Sequence, residues 1–329
     1  MTMASRRLFS RCRWRARVAW AACASATSLC PAPVAWAQSA GGFDADALPA
    51  PIAPSAFSAL ESASPLEARA LNGGLRSSLF TRPVALILPT PSDRGARANA
   101  VDAVVLAELT FAAGLGRGFD LGVGLGLHAY QAGTGLSPVT GGERLAPIAL
   151  ADPRITLGWS KKFDEFALRP YATVFVPLGD SSAFASDGFI RSDVGLAASY
   201  VFEGVLVEFD IAARLRREVD FGYARLGSGL RVGAGALFSV LPELQVGPEV
   251  IVLPQFSAQP EPLTGDAGFL LPAEARLTAR VVVDRWTFLA SGGTGLPFSR
   301  PSGLDPNAGL VRGLTSPTFR GLLELRTTF

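Results

Sequence analysis

The chain reads as an all-β protein, a transmembrane antiparallel up-and-down β-barrel of about twelve strands, with ten or fourteen as alternatives, and three features predict this. Apolar and polar residues alternate strictly in segment after segment. Tight connections alternate with long ones. The final segment keeps its alternation to the last residue and stops on an aromatic, Phe329.

That final segment runs from Ser316 to Phe329. Arg320, Leu322, Glu324, Arg326 and Thr328 fall on one side; Phe319, Gly321, Leu323, Leu325, Thr327 and Phe329 fall on the other. A period of two sends successive side chains to opposite faces of a sheet, so one face suits lipid and the other suits water. A strand that ends in this way on Phe resembles the closing strand of a bacterial outer-membrane barrel, which implies recognition by the barrel-assembly machinery.

Residues 1–37 are set aside before any fold is considered. Arg6, Arg7, Arg11, Arg13, Arg15 and Arg17 form a basic leader, Val18 to Leu29 is a short apolar run, and Ala35-Trp36-Ala37 gives a small-x-small cleavage pattern. Ser5-Arg6-Arg7-Leu8-Phe9 resembles the twin-arginine motif, but that route carries folded cargo and a barrel must cross the inner membrane unfolded. The expected location is therefore the outer membrane, reached with a cleaved signal peptide. Cys12, Cys23 and Cys30 all lie in the leader, so the mature chain has neither a disulfide framework nor a thiolate metal site. Losing the leader leaves 24 basic residues against 28 acidic ones. The basic balance belongs to the signal, and no nucleic-acid partner is expected.

Residues 38–70 form an Ala/Pro/Ser-rich stretch broken by Pro49, Pro51, Pro54 and Pro65. It reads as a periplasmic lead-in, a flexible tether in preference to a short helix over Ser55 to Ser62 that would plug or lid the barrel from beneath. Residues 71–329 form the barrel. Its strands are expected near 72–87, 101–113, 118–130, 149–161, 165–177, 188–201, 204–216, 224–238, 243–254, 269–283, 285–294 and 315–329. Connections such as Gly114 to Gly118, Phe202-Glu203 and Asp284 are tight. Those such as Gln131 to Pro147, Gln255 to Ala267 and Leu296 to Leu314 are long. Short turns on one rim and long loops on the other match outer-membrane barrels and put both ends of the barrel on the short-turn rim. Trp159, Tyr200, Trp286, Phe288 and Phe329 fall on the lipid face near strand ends, as an interfacial girdle requires.

No catalytic, cofactor or metal site emerges. His128 is the single histidine, with no Ser or Asp partner fixed by spacing, and reads as a polar lumen residue. Gly122, Gly124 and Gly126 lie within a strand with no helix after it, so the dinucleotide reading fails; they let the wall curve or leave room for long Arg side chains opposite. Gly227, Gly229, Gly233 and Gly235 repeat the pattern. The candidate site is the set of inward charges: Arg154, Arg169, Arg191, Asp193, Glu208, Asp210, Arg214, Arg225, Arg231, Glu249, Glu274, Arg276, Arg280, Arg320, Glu324 and Arg326. Both signs on neighbouring strands imply cross-strand pairing, with a pore-lining role beside it.

The run Val101 to Gln131, followed by Ala151 to Trp159 and Arg169 to Asp180, resembles the N-terminal barrel of the outer-membrane protein A (OmpA) family. The chain stops at Phe329, without the peptidoglycan-binding domain of the longer relatives. The resemblance implies a membrane-embedded barrel and brings no catalytic residues. The expected function is a porin- or channel-like protein for passive passage of small solutes, not an enzyme. The alternative is a structural or interaction barrel in the cell envelope. Twelve strands lie between barrels filled by side chains and barrels with an aqueous channel. A narrow pore is expected, partly closed by the Arg and carboxylate ladder and by residues 38–70 beneath it, and Arg276→Ala with Arg280→Ala is expected to enlarge its conductance and shift its selectivity toward cations.

Overall fold

A computed structural model describes residues 43–64, 66–88, 96–137, 144–221, 224–256, 271–296, 311–312 and 316–329. Twelve long strands form the wall: β1 (Leu71–Leu88), β2 (Ala96–Gly116), β3 (Phe119–Ala132), β5 (Arg154–Trp159), β7 (Phe166–Phe175), β8 (Arg191–Phe202), β9 (Val205–Leu215), β12 (Gly229–Ser239), β13 (Leu244–Val252), β14 (Ala273–Val283), β15 (Trp286–Gly295) and β17 (Phe319–Thr328). Three short pieces extend the same sheet: β4 (Ala149–Leu150), β6 (Lys161–Phe163) and β16 (Val311–Arg312). Every pairing is antiparallel, and β1 joins β2 on one side and β17 on the other, which closes the barrel. Closure leaves the wall no free sheet edge, as a lipid environment demands.

The tight turns fall where the sequence places them, and their backbone shows why they hold. Arg117 and Gly118 between β2 and β3, and Glu203 and Gly204 between β8 and β9, all have positive φ. Two consecutive left-handed residues make the turn whose twist matches that of a hairpin. Asp164 and Asp284 take positive φ at two further turns on this rim. Leu71 and Phe329 exchange backbone hydrogen bonds of 3.0 and 2.8 Å, so both ends of the barrel meet at the short-turn rim.

Several strand limits differ from the expectation, with proline as the recurring cause. The expected strand 149–161 breaks at Asp152-Pro153, and those expected from 269 and 315 begin after Pro272 and Pro317. The expected strand 224–238 is two things. Ala224–Leu226 (β11) pairs with Val219–Phe221 (β10) as a separate ribbon, and the wall resumes at Gly229. The side chain of Arg225 lies outside the described residues.

The outer face is apolar. Leu75, Leu109, Leu125, Leu157, Phe209, Leu277 and Leu323 all point away from the lumen and are exposed. Aromatics collect towards the short turns, where Phe119 lies beside Trp159, Phe163 stacks on Phe166, and Arg285 caps both Trp286 and Phe329. A belt of this kind is stable only in lipid, so the chain is a membrane-spanning barrel.

The main departure is inside. The stretch expected as a lead-in does not hang below the barrel: residues 43–63 are threaded through its lumen, and Phe43, Leu48, Ile52, Phe57 and Leu60 are each at most 1% exposed. No helix forms over Ser55 to Ser62. Phe43 packs edge-on against Phe184 of the loop between β7 and β8, with ring centroids 5.3 Å apart, at the long-loop end. Arg69 donates its backbone N–H to Gly114 at the short-turn end, and the chain then enters β1.

Candidate functional site: the filled lumen

The wall is shaped for the segment within it. A Cβ on Gly122 would run into Ile52, one on Gly124 would crowd Glu108 and Ile52, one on Gly233 would run into Leu60, and one on Gly235 into the Phe57 ring. These are the alternating glycines that the sequence suggested would curve the wall or make room for arginines. The second role is filled by Gly158, where the guanidinium of Arg169 lies. At Gly122, Gly233 and Gly235 the space is taken by apolar side chains of residues 43–64, and at Gly124 by Glu108 together with Ile52.

Charge holds the segment along its length. Pro49, Pro51 and Pro54 have no N–H and keep it out of regular structure, so its buried carbonyls need donors from elsewhere. Arginines supply them. Arg154 donates to Ala50 O at 2.8 Å, Arg76 to Pro51 O at 2.6 Å, Arg326 to Ala53 O at 2.9 Å, and Arg214 to Ala47 O. Carboxylates of the segment pair with further arginines: Asp44 with Arg191 at 3.1 Å, Asp46 with Arg320 at 3.0 Å, and Glu61 with Arg169 at 2.9 Å. Wall carboxylates accept from the segment's own donors. Glu249 takes the N–H groups of Ser58 and Ala59 at 3.2 and 3.1 Å and the Ser58 hydroxyl; Glu208 takes the Ser62 hydroxyl at 2.6 Å; Asp187 takes the Asp44 N–H at 2.9 Å.

The inward charges also pair with one another. Arg76 bridges Glu108 and Glu324 at 2.7 and 3.0 Å, with Arg154 on Glu108 and Arg326 on Glu324. Arg214 grips Asp193 through two nitrogens, at 2.9 and 2.8 Å, and Arg169 holds Asp120 in the same way at 3.1 and 2.7 Å. Arg231 and the Tyr171 hydroxyl share Asp210. Glu274 receives both Arg276 and Arg320, and Arg276 also donates to the Ser58 hydroxyl. Arg280 stands apart, bonded to Gln245 at 2.9 Å. Arg276 and Arg280 therefore do not form a constriction of their own in a lumen that residues 43–64 already fill.

The long-loop end has its own electrostatics. Burial alone would raise the Asp187 carboxyl, but Arg216 and Arg191 outweigh it and hold Asp187 below the usual carboxylate range. Burial pushes the Asp152 carboxyl up, against its hydrogen bonds to Ser186 and Gly179. His128 is buried on the inner face of β3, with Nδ1 3.0 Å from Gln131 Oε1 and its ring edge-on to Phe80. Among the described residues no group of His, Cys, Asp or Glu has a metal-binding arrangement.

Sequence reasoning left out several members of this network. Arg76 belongs to an inward face with Asn72, Gly74 and Ser78, but Phe80 on that face blurs its phase. Asp44, Asp46 and Glu61 sat in a stretch read as a tether. The overlooked signal was charge: residues 38–68 contain four acidic residues and no basic one.

No protein-family model matches the chain, and no curated protein is similar to it in sequence. Among solved structures, an outer membrane channel from Pseudomonas putida F1 is similar over 80% of this chain and 97% of its own length, with a TM-score of 0.54 and 14% identity. The likeness is one of fold, that of an outer-membrane β-barrel. The KdgM porin has a TM-score of 0.46 at 10% identity, over 78% of this chain and 99% of that one. The NanC porin has a TM-score of 0.45 at 8% identity, over 79% and 99%.

Proposed function

We propose that the chain is a channel of the bacterial outer membrane, passing small solutes through a lumen that residues 43–64 fill and, on leaving, open. The observation that carries this reading is the match between the wall's inward glycines and the segment's Ile52, Phe57 and Leu60. A barrel built only as a solid post can fill its interior with its own side chains. This one leaves space that a separate, non-covalently held stretch of chain occupies, lined by charges that would be wetted once it left.

On this reading the chain reaches the membrane with a cleaved signal peptide, is assembled there through its closing strand by the barrel-assembly machinery, and has outer-membrane lipid around its apolar belt. It has no enzymatic role. The likeness of Val101 to Gln131 to OmpA-family barrels belongs to the reading as a similarity of strand pattern.

Conductance in planar bilayers tests it, with the intact chain compared with one lacking residues 43–64. Heat-modifiable gel mobility shows that each is folded. The shortened barrel should conduct steadily, and the intact one should show a conductance lower by about tenfold or more, since twelve strands enclose room for water only when the interior is not filled. Equal conductance would remove the gating role. A folded, shortened barrel that passes no current would remove the channel.

A further inference from the structure

We propose that the open lumen binds elongated oligomers that carry carboxylates, and that residues 43–64 occupy the arginine ladder as a tethered stand-in for such a solute; this rests on the channel reading above. The segment has the chemistry such a solute would need. It is extended, acidic and without a cation, and the wall meets it largely through its acceptors. Arg154, Arg76 and Arg326 hold the backbone carbonyls of Ala50, Pro51 and Ala53, and Arg320 and Arg169 hold carboxylates near its two ends. Most of the side chains between these anchors are small, so the ladder reads a line of oxygen acceptors more than a particular residue sequence.

A second observation points the same way. Among the described residues the Nε–H groups of Arg76, Arg191 and Arg231 are buried without an acceptor, and the Oε2 atoms of Glu208 and Glu324 are buried without a donor, so the lining keeps donors, and some acceptors, that the segment does not use. A planar guanidinium with a spare N–H suits a second carboxylate oxygen. Glu249 adds a further requirement by accepting consecutive N–H groups from Ser58 and Ala59. The solute must therefore offer donors between its acids. Amide groups of an acidic peptide or hydroxyls of a uronic oligosaccharide both meet this, whereas a polycation would find most wall carboxylates already paired with wall arginines.

The test records single-channel current through the barrel lacking residues 43–64, with octaglutamate or octagalacturonate added and octalysine or maltooctaose as controls. The acidic oligomers should interrupt the current at concentrations about tenfold below maltooctaose, and the block should weaken as salt rises. Octalysine should not block at these concentrations. Block by only one acidic oligomer supports the proposal and assigns the backbone as peptide or saccharide. Arg76→Gln with Arg326→Gln should reduce the block. In parallel, Ser58→Cys in the intact chain should react faster with a thiol reagent when octaglutamate or octagalacturonate is present, as the segment is displaced. A conducting barrel blocked equally by acidic and neutral oligomers, or Ser58→Cys reactivity unmoved by both acids, overturns the inference and leaves the channel reading in place.

Discussion

A barrel carrying Leu60→Cys and Gly233→Cys should lose its conductance on oxidation and recover it on reduction. Gly233 lies on the inner face of β12, and a Cβ built there falls on the Leu60 side chain. Bridged cysteines need Cβ atoms about 3.5–4.5 Å apart, a separation this contact allows. The cysteines are Cys12, Cys23 and Cys30, so a chain that begins at Gln38 offers no competing thiol. The bond would tie the segment to β12 towards its C-terminal end without altering a wall charge, so any change in current reports on movement of the segment. Current that persists in a fully oxidised barrel would mean that solutes pass with the segment in place.

Arg76→Met should destabilise the folded barrel by about 3 kcal/mol, read as a shift in the urea unfolding midpoint in detergent micelles. Arg76 is about 1% exposed and bonds Glu108, Glu324 and the Pro51 carbonyl together. Removing one partner of a buried pair leaves charge uncompensated, at about 3–5 kcal/mol. The lower end applies because Arg154 remains on Glu108 and Arg326 on Glu324. Adding Glu108→Gln should recover part of the loss. A midpoint unchanged from the native chain would show that the triad contributes little.

The wall was legible in the sequence because its rule is local. Alternation in β17 and the turn residues around Gly118, Gly204 and Asp284 each declare themselves within a few positions. The inward set from Arg154 to Arg326 was read from the same phase, and apart from Arg225 and Arg280 its members are buried. Their partners did not follow, because pairing depends on which strands curl together and on what lies between them. Asp46 meets Arg320 across 274 positions of sequence, and Glu61 meets Arg169 across 108. Residues 38–70 misled for a related reason. An Ala, Pro and Ser composition suits a tether as well as an extended chain gripped from outside, and the choice is made by Gly122, Gly233 and Gly235 in distant strands.

Amide hydrogen exchange of residues 57–61 in the folded, micelle-bound protein is the most direct test that this stretch is part of the barrel's interior. The N–H of Phe57 is held by the Ser55 hydroxyl at 3.1 Å, and those of Ser58 and Ala59 are held by Glu249, all of them buried. The structure predicts exchange slowed for these amides towards that of neighbouring wall strands, set by opening of the segment. Exchange at the rate of an unstructured peptide would contradict it and return residues 43–64 to a tether outside the lumen.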